Sequence, residues 1–210
     1  MKKILLSLLA VISFAFTNAQ SREKGTVEIT PKIGYSGFGE DNEGKSTDSN
    51  SGAEFGVTTD YYFNNRWSLR SGLVFDKMGG KYKMLVDYIY DIYTTPNPYI
   101  NYEDKLNYLS IPLNANWHFG STRKWNLNFG FSPSFLLSAK VNSTEIPKST
   151  INSFQLALTY GIGYKFEVTE KFGILIDTQF FNGLTNINNA SDNKIFNAGY
   201  SFNVGGVIQL

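Results

Sequence analysis

The chain holds one histidine and no cysteine, which narrows what chemistry it can do. A histidine acting as a catalytic base needs a nucleophile beside it and an acid to orient it. No serine elbow or paired-acid motif accompanies His118, so a hydrogen-bonded interior histidine is the expectation, and a hydrolase or acyltransferase the minor alternative. A single histidine without cysteines leaves no metal-ligand set, and no cofactor motif is present; no catalytic, metal or cofactor residue is assigned. The charged residues Glu28, Lys32, Glu54, Asp60, Arg70, Asp76, Lys165 and Asp177 recur in the polar phase of alternating segments, as His118 does. Carboxylates and cations sequestered from water must pair, so these nine positions read as a polar network, with an ion path as the alternative. A second cluster is Tyr82, Tyr88, Tyr90, Tyr93, Tyr99 and Tyr102, with Asp87 and Asp91 among them. Tyrosine gives large contact area at low rotamer cost, so this stretch is a candidate loop binding surface. Because Tyr82, Met84, Val86, Tyr88 and Tyr90 alternate, it also reads as a hairpin extension. Glu40, Asp41, Glu43 and Asp48 in the first loop lack the ordered spacing of a calcium loop.

The elements that position these residues follow from period-two alternation. Eight runs carry large apolar residues on one phase and Gly, Ser, Asn or charge on the other. They start at Val27, Phe55, Trp67, Leu109, Trp125, Phe154, Phe172 and Phe196. Each is near the roughly 9–11 residues of a tilted strand crossing a bilayer. The expectation is an all-β, eight-stranded antiparallel up-and-down transmembrane β-barrel. Its apolar phase is too bulky to fill an eight-stranded interior and should face lipid. Trp67, Trp117 and Trp125 flank short turns, as interfacial aromatics do. A soluble or periplasmic lipocalin-like ligand barrel is the alternative, with the apolar phase turned inward.

Short connections, such as Asn64-Asn65-Arg66, alternate with long ones at about 37–52, 79–104, 142–153 and 183–194. Short periplasmic turns and long extracellular loops are therefore expected. Pro31, Pro112 and Pro133 fall within runs and remove ladder donors; a bulge is expected near Pro112 and Pro133, without a broken strand. The near-balanced charge, formally +1, argues against a nucleic-acid partner. Residues 1–19 carry Lys2 and Lys3, an apolar core from Ile4 to Phe16 and small residues before Gln20, the pattern of a cleaved secretory signal. Residues 20–210 then form one barrel domain of about 190 residues.

Tyr108-Leu109-Ser110-Ile111-Pro112-Leu113 resembles the tyrosine-leucine-x-isoleucine-proline-leucine strand of the PorT-like outer-membrane β-barrel ("porin family") proteins of Bacteroidetes-type bacteria. The Asn18-Ala19-Gln20 signal end and the length agree. The resemblance implies an outer-membrane location, contact with its lipid and insertion by the barrel-assembly machinery, although Leu210 departs from the aromatic end such barrels often carry. It implies no chemistry. The function expected is structural or surface-interacting and non-enzymatic, with an unknown extracellular ligand or partner protein met by the loops. The interior is expected to be too narrow for a general porin, and a small channel is the lesser alternative.

Overall fold

The computed structural model describes residues 22–42, 45–85 and 99–210. The signal segment, Glu43, Val86, Asp87, Tyr88, Tyr90, Asp91 and Tyr93 lie outside the described residues. Among the described residues, twelve strands form one antiparallel sheet. They are β1 (Val27–Asn42), β2 (Lys45–Ser46), β3 (Asp48–Asn64), β4 (Trp67–Met78), β5 (Gly80–Leu85) and β6 (Tyr99–Ser110). There follow β7 (Leu113–Phe119), β8 (Trp125–Val141), β9 (Thr144–Glu145), β10 (Phe154–Glu167), β11 (Phe172–Gly183) and β12 (Ile195–Gln209). The pairings run from β1 through β12, β11, β10, β8, β7, β4 and β3 back to β1. The architecture is barrel-like.

The eight-strand expectation is corrected by three features of this sheet. The run through Leu109 to Phe119 breaks at Ile111 and Pro112 into β6 and β7. Proline has no N–H for the ladder, and only Ile111 keeps a backbone bond there, donating to the Pro133 carbonyl at 2.9 Å. The bulge expected at this point is instead a strand break, and the register shift falls between Asn107 and Tyr108, opposite β8. Pro31 and Pro133 stay within continuous β1 and β8. Much of the connection expected at 79–104 is itself strand, β5 paired to the first half of β6 from Lys81↔Glu103 to Leu85↔Tyr99. Gly79 separates β4 from β5 at φ +118°, where a Cβ would lie 2.1 Å from the Asp104 carbonyl oxygen. The loop regions finally add β2 and β9 as two-residue strands.

The alternation resolves into faces. Ile33, Phe55, Leu73, Phe129, Phe131, Ile176 and Val204 are all exposed, while Thr58, Asn116, Asn128, Ser134 and Asn203 between such residues are buried. A sheet apolar outside and polar inside is the inverse of a soluble ligand barrel, and the lipocalin-like alternative fails on that inversion. At the short-turn side, aromatic rings touch in sequence: Trp67 and Trp117 stack at 6.3 Å, Trp117 and Phe119 at 5.1 Å, and Trp125 meets Tyr164 edge-on at 4.9 Å. That band is the aromatic girdle of a membrane interface. The turns below it are side-chain capped, the Asn64 Oδ1 accepting from the backbone of Arg66 at 2.8 Å and Trp67 at 3.1 Å. No helix among the described residues is long and apolar enough to cross a membrane; the strands do so.

Phe131 sits mid-strand on the lipid face, so Phe131→Arg should cost about 2–4 kcal/mol, the penalty for a cation at the bilayer midplane. Denaturant titration of the protein folded in lipid vesicles measures this, and a variant as stable as the parent would contradict the lipid-facing assignment.

Candidate functional site

Three layers of side chains fill the space enclosed by the sheet. Nearest the short turns, Glu28 of β1 accepts from Lys165 of β10 at 2.8 and 2.9 Å, from Arg22 at 2.8 Å and from the Tyr62 hydroxyl at 2.9 Å. Arg22 and Lys124 also reach Glu167. In the next layer Arg70 of β4 bridges Asp60 of β3 at 3.0 Å and Asp177 of β11 at 3.4 Å, with Asn116 donating to Asp60 at 2.9 Å. Beside it Lys32 meets Glu54 at 2.6 Å, and Ser110 links Asp76 to Ser134. The ionic groups are each under a tenth exposed, and pairing across the interior meets the desolvation cost of each charge.

His118 lies in this network, 3 % exposed. Its ring stacks on Tyr62 at 4.8 Å and its Nε2 lies 3.0 Å from the Ser68 Oγ, which is 2.9 Å from Asp60 Oδ1. The three residue types of a hydrolytic triad are therefore adjacent, but in the wrong order. A triad needs the acid on the histidine's far nitrogen and the serine free to attack; here serine stands between the other two and is 1 % exposed. With its hydroxyl proton directed to Asp60, Ser68 accepts from His118 and has no path to act as a nucleophile.

All nine residues of the expected polar network thus face inward, and each is joined to another of them, His118 through Ser68 and the others directly. Sequence reading missed Arg22, Lys124 and Glu167, which sit outside the alternating runs or at their ends. Tyr62 was in the inward phase, so its position carried the signal. The reading also missed a third, apolar layer toward the loop side. Phe38, Met78, Leu106, Tyr108, Leu136, Ala139, Phe181 and Ile187 pack into one cluster, with Phe38 and Phe181 edge-to-face at 5.5 Å. Between this plug and the Arg70 layer remains a cavity of about 60 Å³.

Beyond the plug, a vestibule of about 700 Å³ opens on the loop side, lined by Glu40, Thr47, Asp48, Tyr82, Met84 and Asp104 among others. The tyrosine group is split by this geometry. Tyr82 and Tyr102 stack across the β5–β6 hairpin at 5.5 Å. Tyr99, at the far end of the hairpin, is half exposed and pairs on the opposite face.

An outward apolar belt, an aromatic girdle and an inward polar network agree with the sequence comparison. Residues 18–189 match the family model described as "Outer membrane protein beta-barrel domain". The chain belongs to that family. Among solved structures, the outer membrane protein OprG from Pseudomonas aeruginosa is similar at 12 % identity and a TM-score of 0.51, over 90 % of this chain and 98 % of that one. The N-terminal β-barrel domain of Pseudomonas aeruginosa OprF is similar at 14 % identity and a TM-score of 0.46, over 90 % and 100 %. Neisserial surface protein A is similar at 14 % and 0.47, over 87 % and 97 %. Among curated proteins none is similar in sequence. As an outer membrane protein of this β-barrel family, the chain resides in the outer membrane, in contact with its lipid.

Arg70→Ala would leave Asp60 and Asp177 buried without their shared cation, and should destabilise the fold by about 3–5 kcal/mol. The shift of the urea midpoint in vesicles reads this directly; a change within about 0.5 kcal/mol, as for an ordinary surface site, would mean the pairs are not buried.

Proposed function

We propose that this outer-membrane protein is a structural or surface-interaction component whose working part is its loop side, and that its interior is too narrow and too packed for a general porin. One contrast carries the reading. The interior retains a cavity of about 60 Å³ under an apolar plug, whereas the loop-side vestibule has about 700 Å³. Conduction needs a continuous wetted path, and the Phe38–Phe181 contact crosses it. A vestibule walled by Tyr82 and Met84 instead offers rigid aromatic and adaptable apolar contact, suited to an extracellular ligand or partner protein. Tyr88, Tyr90, Tyr93, Tyr99 and Tyr102 belong to the same proposed surface by sequence.

The proposal extends to processing and kinship. Cleavage after Ala19 would release residues 20–210 for insertion by the barrel-assembly machinery, and the Tyr108–Leu113 motif supports a PorT-like membership within the broader family.

Two measurements test this reading. In planar bilayers the parent protein should give no unitary conductance, and Phe38→Ala combined with Phe181→Ala should give steps; large steps from the parent would refute a sealed interior. On intact cells, added protease should remove an epitope inserted after Lys83 and spare one inserted after Asn65. Protection of the first, or loss of the second, would place the hairpin away from the cell surface.

A further inference from the structure

The loop-side vestibule is lined by consecutive residues. Lys81 to Met84 of β5 all border it, and so do Ser46 to Asp48, which join β2 to β3. A cavity on one face of a strand meets alternate residues only. Consecutive lining means that the space runs along strand edges, where backbone N–H and C=O groups point. The pairing agrees. β5 meets β3 at Ser49↔Gly80 and Asp48↔Lys81, and that ladder stops there. Continued in register, it would set Thr47 opposite Tyr82 and Ser46 opposite Lys83. Among the described residues no such pairs form. β2 pairs with β1 alone, and from Tyr82 to Leu85 β5 pairs with β6 alone.

The opening has a local cause. The partner of Phe38 along β1 is Asn50, whereas the partner of Asp41 is Ser46. Three steps on β1 therefore match four on the opposite chain, and such an extra residue bends the strand that carries it. Thr47 lies at this bulge and is held by β1. Its N–H donates to the Glu40 carbonyl, and its hydroxyl accepts from the Glu40 N–H, both at 2.8 Å. The bend turns β2 away from β5 and leaves a cleft between two strand edges. The β5 wall of this cleft is fixed from behind. β6 pairs with β8 as far as Asp104↔Val141. Past that point Asn142 accepts from the Glu103 N–H at 2.9 Å and donates to the Asn101 carbonyl at 3.2 Å. The hairpin is thus tied along its β6 edge and open along its β5 edge. Lys81, Lys83 and Asn101 are exposed here, where the membrane-crossing strands expose residues such as Phe55 and Leu73. Lysines are costly against hydrocarbon, so the cleft stands clear of the lipid.

We propose that this cleft is a strand-addition site, in which an extended peptide segment of a partner protein enters between β2 and β5 and continues the sheet through β5. The proposal rests on the loop-side reading above and gives its partner a chemical class. The class follows from the groups on offer. A strand edge presents donors and acceptors in alternation, and an extended peptide backbone repeats them at the same spacing. A sugar, a lipid headgroup or an inorganic ion has no such repeat. Tyr82 and Met84, two positions apart on one face of β5, both border the cleft. Alternate side chains of the incoming strand therefore meet an aromatic ring and a thioether, contacts that tolerate varied apolar residues.

Selection of a displayed library of random dodecapeptides against the full chain in lipid nanodiscs tests the proposal, with amide exchange of the complex followed by NMR. Peptides should be enriched. N-methylation at alternate positions removes the N–H groups of one peptide edge and should weaken binding by about tenfold or more, as expected when two or more hydrogen bonds are lost. Alternate amides from Tyr82 to Leu85 should exchange freely without peptide and slow by about tenfold or more with it. The chain has no cysteine, so Ser46→Cys with Lys83→Cys creates a single disulfide that zips the cleft. The reduced double variant should bind peptide and the oxidised one should not; if the disulfide does not form, the N-methyl comparison decides. Failure to enrich any peptide would overturn the proposal, as would protection of every amide from Tyr82 to Leu85 in the free chain. Slowing of those amides by a second copy of the chain, without peptide, would overturn it as well. Binding indifferent to N-methylation would overturn strand addition and leave the loop-side reading standing on side-chain contact alone. Large conductance steps from the parent would instead remove the sealed-interior reading and leave the cleft untouched.

Discussion

A peptide group in hydrocarbon has no water to bond, and the rest of this structure follows from that constraint. Each membrane-crossing strand lies between two antiparallel neighbours, so its N–H and C=O groups find partners in other strands. Once the backbone is satisfied in this way, side chains must alternate between lipid and interior. The small interior residues are a further consequence: at Gly130 a Cβ would lie 2.1 Å from the Leu113 carbonyl oxygen. Pro112 breaks the rule locally, and the sheet yields there by dividing one strand into β6 and β7.

The same constraint explains the interior charges. Ladders tie each strand to its neighbours, and some of the ion pairs tie strands that are not neighbours. Glu28 of β1 meets Lys165 of β10, and Arg70 of β4 reaches Asp177 of β11. Because removal of one partner leaves the other charge buried, these contacts work as cross-braces rather than as a conduit. The His118–Ser68–Asp60 cluster belongs to the same bracing: residue types familiar from hydrolysis serve here as consecutive links of a hydrogen-bond chain.

Function on such a scaffold belongs to the parts the bilayer does not constrain. OprG shares the fold at 12 % identity, and a likeness of that order carries architecture without a ligand. Past the girdle lie an apolar plug and a tyrosine-bearing hairpin that continues the sheet.

How much of this was legible in the sequence depends on how far each property is local. Alternation is local, so the lipid-facing phase, the inward phase and the interior position of Glu28, Asp60, Arg70, His118 and Lys165 could be read from residue order alone. Even Tyr62 and Phe181 sat in the inward phase, Tyr62 beside Glu28 and Phe181 in the apolar plug, although the bulk of Phe181 hid the plug it helps to build. Pairing is not local. Nothing in the order of residues says that Arg22 closes on Glu28, that Arg70 reaches Asp177, or that Pro112 divides a strand rather than bulging it. Those outcomes depend on register between segments up to 137 residues apart, as with Glu28 and Lys165. The sequence by itself determined which side of each strand meets lipid, because a period of two is enough for that. Only the tertiary structure decided the number of strands and the partner of each buried charge, because both depend on how distant segments align.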